Sequence, residues 1–203
     1  KTTNKVLHEQ KIQNGLTFED EITSANEVIS INGYNYDSVD KNTLVIGTSE
    51  NVINIYYTKR NDLSYTVNYL ESVTNNVLHE PKVQTGMTYE DKINAEDEVI
   101  AIDGYNYDYP DKYELVIGTD ENVINIYYTK VTGLRYTVNY LEKDTNKTLF
   151  PSNNQGNMTF GDIVESADEI ISIDGYNFNS FDKDKLTIGT GENVINIYYT
   201  KRT

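Results

Sequence analysis

The sequence predicts an α+β protein built three times over, each unit a small mixed sheet with one short helix. Three observations predict it. The stretch Glu50-Asn51-Val52-Ile53-Asn54-Ile55-Tyr56-Tyr57-Thr58-Lys59 returns unchanged at 121–130 and at 192–201, a fixed period of 71 residues. Self-similarity at a fixed period marks a repeat architecture. Within that stretch Ile53, Ile55 and Tyr57 alternate with Val52, Asn54 and Tyr56. That is the period of a strand with one face on a core, in residues that favour strands. Finally, Thr88-Tyr89-Glu90-Asp91, with copies at Thr17-Phe18-Glu19-Asp20 and Thr159-Phe160-Gly161-Asp162, reads as a helix start. Thr88 would be the N-cap, with acids in the first turn.

The middle unit supplies the elements in order. Tyr65-Thr66-Val67-Asn68-Tyr69-Leu70 alternates and predicts a first strand, with Tyr65, Val67 and Tyr69 on one face. After the polar turn Thr74-Asn75-Asn76, residues Val77 to Gln84 predict a second strand interrupted by Pro81 and broken at Gly86. Proline there points to an edge or a bulge. A helix of about two turns follows, with Tyr89 and Ile93 inward at i and i+4. Asp103-Gly104 signals a turn, Tyr105 to Asp108 a third strand, and Leu115-Val116-Ile117 a short fourth. Gly118 to Glu121 then leads into the closing strand. One helix against a mixed sheet is a small α+β unit.

The repeat divides the chain into 1–60, 64–131 and 135–203. Lys1 aligns with Ser72, so the first unit lacks the counterpart of the strand Tyr65 to Glu71, and the sequence reads as trimmed from a longer chain. Units of this size bury a modest fraction of their surface and lean on neighbours. The joints at 60–64 and 131–135 are short and hold Leu63 and Leu134, too little for a loose tether. Those leucines are expected to pack at the joints, and the units to form an elongated rod in which each touches only its neighbours.

Composition narrows the function. There is no cysteine among the 203 residues, which excludes disulfides, zinc–thiolate sites and cysteine nucleophiles. No apolar run approaches the length of a membrane-spanning helix. The net charge of −15 argues against binding nucleic acid through its phosphates. Residues 65–131 carry most of that charge, thirteen acids against four bases. They read as a solvated acidic surface, with a weak calcium or cationic-ligand site as the alternative.

The motifs Tyr65-Thr66-Val67-Asn68-Tyr69-Leu70-Glu71, Ile102-Asp103-Gly104-Tyr105 and Val123-Ile124-Asn125-Ile126-Tyr127-Tyr128 carry a resemblance. They resemble the opening strand, the Gly-Tyr turn and the closing strand of the mucin-binding-protein (MucBP) repeat family. The resemblance spans the chain three times, less the missing first strand. It implies tandem β-grasp-like (ubiquitin-like) repeats of a Gram-positive surface protein, extracellular and attached to the cell wall. It implies mucin glycans or host surface proteins as partners, and a monomer within a longer chain. It brings no catalytic residues and no cofactor, and no wall-sorting motif is present.

Catalytic groups are not apparent. His8 and His79 share a repeat position, but the third copy has Phe150, which tells against a shared base or metal ligand. A half-buried ring on the second strand is the expectation. No phosphate loop, nucleophile elbow or metal-binding His pair occurs, and a unit this small leaves little room to hold two carboxylates across a cleft. A Lys–Asn crosslink is a further option, but Lys59 and Asn54 lie five apart on a strand, on opposite faces. The candidate ligand site is in the middle unit, where Tyr107, Tyr109 and Tyr113 surround Asp108 and Asp111. Tyrosine offers an aromatic face and a polar tip to a sugar. The competing reading makes Tyr107 core and the others loop cover. An extracellular spacer and adhesion segment is expected, with a glycan-receptor module as the alternative.

Overall fold

The structure, a computed structural model, describes Thr3 and residues 5–202. Along the first repeat run β1 (Glu21–Thr23), a 3-10 turn (Ser24–Glu27), β2 (Tyr34–Val39), β3 (Thr43–Val45) and β4 (Ile55–Lys59). The middle repeat has β5 (Leu63–Glu71), β6 (Val77–Met87), β7 (Lys92–Asn94), a 3-10 turn (Ala95–Glu98), β8 (Tyr105–Pro110), β9 (Glu114–Val116) and β10 (Val123–Lys130). The third has β11 (Leu134–Glu142), β12 (Thr148–Met158), β13 (Ile163–Glu165), a 3-10 turn (Ser166–Glu169), β14 (Tyr176–Phe181), β15 (Lys185–Thr187) and β16 (Val194–Lys201). The chain divides into two compact units. One holds Lys1–Asn68, Pro81–Asp97 and Lys112–Ile124, the other Tyr69–Glu80, Glu98–Asp111 and Asn125–Thr203. Each unit contains one joint between sequence repeats.

The third repeat shows how the sheet is built. Its strand order is β12-β11-β16-β14. β11 and β12 are antiparallel and joined by a short turn, in which Asn146 takes the left-handed region at φ 54° and Glu142 accepts a bond from Thr145. β11 and β16 are parallel, from Thr137↔Val194 to Glu142↔Tyr199. Parallel neighbours need a long crossover, and everything from β12 to β15 supplies it. β14 closes the sheet antiparallel to β16. The crossover carries its own two-stranded ribbon, β13 with β15. The middle repeat has the same order, β6-β5-β10-β8, with β7 paired to β9.

Alternation decides what is buried. Tyr136, Val138 and Tyr140 of β11 meet Ile195, Ile197 and Tyr199 of β16 over Val164, Leu186 and Ile188. Burying each such side chain stabilises by about 1.5–3 kcal/mol. Leu134 packs against this core, that of its own repeat, and Leu63 is buried at the start of β5. On the other face of the sheet, Asn139 donates to Asn196 at 2.9 Å and Ser152 to Asn139 at 2.7 Å. Asn196 in turn binds Asp182.

Two expectations are corrected. The predicted helix at Thr88 does not form. Glu90 sits at φ 66°, where an α-helix cannot propagate. The Asp91 carboxylate accepts the Thr88 N–H at 2.8 Å, and Asp91 N–H returns to the Thr88 carbonyl at 3.0 Å. The acid therefore ties a tight turn in which Thr88 is not the cap. Strand β7 and a single 3-10 turn take the helix's place. The second strand also runs on through Gly86, at φ 76°. Its counterpart Asn157 is left-handed at φ 61°, beside a register shift between Leu134 and Tyr136. A bulge absorbs the glycine without ending the strand. β6 is an edge strand and tolerates Pro81, as its sequence predicts.

Candidate functional site

The candidate tyrosines do not form one patch. β8 pairs with β10 so that Tyr109 faces Tyr127 and Tyr107 faces Tyr128, and the register shifts between them at Asp108. That bulge breaks the period of two. Tyr107 packs edge-on against Tyr128, at 6.3 Å between centroids, while Tyr109 lies tilted at 5.0 Å over Tyr127. Since Tyr127 and Tyr128 are consecutive on a strand, the two partners mark opposite faces. The bulge recurs at Asp37 and Asn179, which explains a shared position whose residue type varies.

Tyr107 is 39% exposed, so the expectation of a core residue is corrected: it covers the rim of buried Tyr128. Tyr36 over Tyr57 and Phe178 over Tyr199 do the same, each at 6.3 Å. Tyr109 is 44% exposed, and Ser38 and Ser180 replace it in the other copies. Tyr113, 64% exposed, offers its carbonyl to Ala95 N–H. Asp111 accepts the backbone and side-chain N–H groups of Asn125 at 2.9 and 3.0 Å. Asp40 and Asp182 hold Asn54 and Asn196 in the same way. Asp111 thus fastens the loop before the closing strand.

Other sequence candidates also take structural places. His79 is exposed on β6 and meets Tyr69 edge-on at 5.5 Å, where Phe150 meets Tyr140 at 5.9 Å. The expected half-buried imidazole is corrected to an exposed edge ring, and phenyl serves equally. The Lys–Asn crosslink lacks its geometry: Asn54 is engaged by Asp40, whereas Lys59 pairs with Glu90 at 2.9 Å. Among the described residues no group of three or more His, Asp or Glu could hold a metal ion. An open depression of about 280 Å³ is lined by Gly133, Arg135, Asn154, Gln155, Gly156 and Asn157. Its polar lining offers no apolar wall for a ligand.

Two recurrent devices were not read from the sequence. Tyr199 Oη–H donates to the Ile171 carbonyl at 3.0 Å and accepts the Ile171 N–H at 3.2 Å. Tyr57 clamps Ile29 and Tyr128 clamps Ile100 in the same manner. One hydroxyl thus satisfies both backbone groups of a segment without regular structure. Burial raises the Tyr128 and Tyr199 hydroxyls above the usual tyrosine range, against the opposing effect of those bonds. Burial, and then the bond and charge of Glu169 at 2.6 Å, raise Tyr136 further.

The second device is a ring seated on a glycine. Tyr89 lies over Gly33, so close that a Cβ there would fall 2.4 Å from the ring. Phe160 lies over Gly104, at 2.3 Å by the same measure. The rings also meet Tyr34 and Tyr105 edge-on, each at 5.7 Å. Tyr89 N–H donates to the Arg60 carbonyl, and Phe160 N–H to that of Val131, each at 2.8 Å. A hydroxyl closes each clasp: Thr119 to Asn32 at 2.8 Å and Thr190 to Asp103 at 2.7 Å. The signal available in the sequence was that Thr-aromatic turns and Gly-Tyr turns each recur at 71 residues, but nothing local pairs Tyr89 with Gly33 or Phe160 with Gly104.

No protein-family model and no curated protein matches the chain. Among solved structures it is similar to Streptococcal High Identity Repeats in Tandem (SHIRT) domains 3–4 from cell surface protein. That likeness has 14% identity and a TM-score of 0.29, over 69% of this chain and 98% of the other. It is also similar to Mub-RV, at 12% identity and a TM-score of 0.26, over 70% of this chain and all of the other.

Proposed function

We propose that this chain is a non-catalytic tandem-repeat segment of a bacterial cell-surface adhesin, acting outside the cell as spacer and adhesion region. One observation carries the reading. Among the residues identical in all three copies, the Ile-Ile-Tyr row serves the core, the Asn-to-Asp pair fastens the closing strand, and at Gly33 and Gly104 the Gly-Tyr turn seats an aromatic of the following repeat. A spacer needs those and no more. The β-grasp-like reading of each repeat draws support from the parallel central pair β11 and β16 flanked by two antiparallel strands. The domain limits 1–60, 64–131 and 135–203 follow the sequence period. Small-angle scattering tests the spacer reading: a long particle is expected, and a compact globule overturns it.

The second reading is a glycan receptor. It is favoured by the exposed Tyr109, tilted over Tyr127 on the middle repeat alone, since aromatic faces suit sugar rings. A mucin-glycan array separates the two. The spacer reading expects no specific binding, and no difference between the parent and a Tyr109→Ala, Tyr113→Ala variant.

A further inference from the structure

The long second strand of each four-stranded sheet is an open edge. β6 and β12 each run for 11 residues, and among the described residues each has one neighbour in its sheet, β5 or β11. The middle repeat has a repeat on either side of it, and β6 is still exposed at every residue but Leu78 and Met87. The open edge is therefore a property of the repeat fold. Such an edge presents backbone N–H and C=O groups to any chain able to pair with them. The opposite edges, β8 and β14, are only 6 residues long and carry a bulge.

The two long edges are guarded differently. β6 carries Glu80 and Lys82 around Pro81, with His79 beside them, and charge with proline keeps an edge single. β12 has neither a charged residue nor a histidine. Its proline, Pro151, falls in a register shift between Tyr140↔Phe150 and Val138↔Asn153. Beyond it Asn153, Asn154 and Gln155 pair with β11 in unbroken register. Both faces are polar and neutral there. On one, Ser152 bonds Asn139 at 2.7 Å and Asn154 bonds Thr137 at 2.8 Å; on the other, Gln155 bonds Asn153 at 3.3 Å. Neutral, amide-rich, proline-free strands pair with copies of themselves, because an amide both donates and accepts.

Charge selects the partner as well. Residues 132–203 hold ten acids against seven bases, whereas 65–131 hold thirteen against four. Two third repeats therefore approach each other against less repulsion than two middle repeats. The charge beside the stretch is Arg135 of β11, whose stem lies over Gly156 at its end, 3.7 Å from where a Cβ would stand.

We infer that the outer edge of β12, from Ser152 to Gly156, is a pairing surface for the same edge of a second copy, the two strands running antiparallel. Identical edges paired in this way are isologous, so the contact closes as a dimer. The contact is small, and the dissociation constant should be on the order of 0.1–1 mM. The inference is separate from the spacer reading, since a spacer works singly or paired.

Sedimentation velocity across about 0.01–1 mM, a range reaching that constant, should show monomer passing into dimer and no larger species. Amide hydrogen exchange should slow at Ser152 to Gly156 only at the upper end of that range. An Asn154→Lys, Gln155→Lys variant places a charge on each face and should weaken dimerisation about tenfold or more, with circular dichroism unchanged. The same change on the other edge, Val83→Lys, Gln84→Lys, should leave dimerisation as in the parent. An Asn154→Glu, Gln155→Glu variant should be monomeric alone and form a mixed dimer with the Asn154→Lys, Gln155→Lys variant. A monomer throughout, equal loss from changes at the two edges, or no mixed dimer would overturn the inference. So would protection of Ser152 to Gly156 that arises only when an unrelated extended peptide is added.

Discussion

The closing strands of the first and third repeats have the same ten residues and different structures. In the third repeat Val194–Lys201 is a strand held on both sides, by β11 and β14, and Ile195 and Ile197 are 0% exposed with Tyr199 at 1%. In the first, only Ile55–Lys59 is a strand, paired with β2 alone, and Ile53, Ile55 and Tyr57 are half-buried. The loop asparagine follows the same division. Asn193 is buried and donates to the Arg135 carbonyl at 3.0 Å as well as to its own loop, whereas Asn51 is exposed and bonds only its own loop among the described residues. What differs is the strand alongside, β11, which has no counterpart within the first repeat's sequence. A strand's alternation selects which residues could be buried, and a neighbour decides whether they are.

The largest test of this comparison is a cavity. Ile197→Ala should cost about 3–4 kcal/mol, and Ile55→Ala about 1 kcal/mol because its site is already half open. Residue-resolved hydrogen exchange reads each repeat separately, and equal costs would break the comparison. Next come the glycines. Gly104→Ala should cost about 2–3 kcal/mol, combining left-handed strain with overlap on Phe160. Gly175→Ala should cost only the strain, about 1 kcal/mol. Urea denaturation of the two variants sets an occupied socket against an open one.

Smallest is the tyrosine clamp. Tyr199→Phe should cost about 1–2 kcal/mol by leaving both polar groups of Ile171 without their partner, and Tyr57→Phe less, because Ile29 is exposed and water can replace the hydroxyl. The clamp also sets a pH limit. Burial raises Tyr199 above its unfolded value, so the stabilisation of the neutral ring is complete below pH about 10 and is lost as pH rises past it. Tyrosinate absorbance followed alongside unfolding should show Tyr199 ionising only with loss of the third repeat's fold. Early titration, complete before any unfolding, would refute that.

Much of the fold was legible because it depends on periods. The 71-residue repeat, the alternation of Tyr136, Val138 and Tyr140, and the edge placement of the proline strand could all be read directly. The helix was misread because Thr88 and Asp91 carry the residue types of a helix cap and use them in a tight turn. Only the left-handed backbone at Glu90 distinguishes the two, and glutamate does not announce it. The tyrosine patch was misread because an unseen bulge at Asp108 sends Tyr107 and Tyr109 to opposite faces.

By itself the sequence determined the repeat, the strand faces, the absence of thiol chemistry and the acidic surface, since these follow from composition and spacing along the chain. Only the tertiary structure decided that identical closing strands differ in burial, that Tyr107 is a rim residue, and that an aromatic of one repeat rests on the glycine of the repeat before it. Those outcomes depend on which atoms lie alongside from elsewhere in the chain. Contact energy falls away within an ångström of the right distance, and no local pattern encodes that distance.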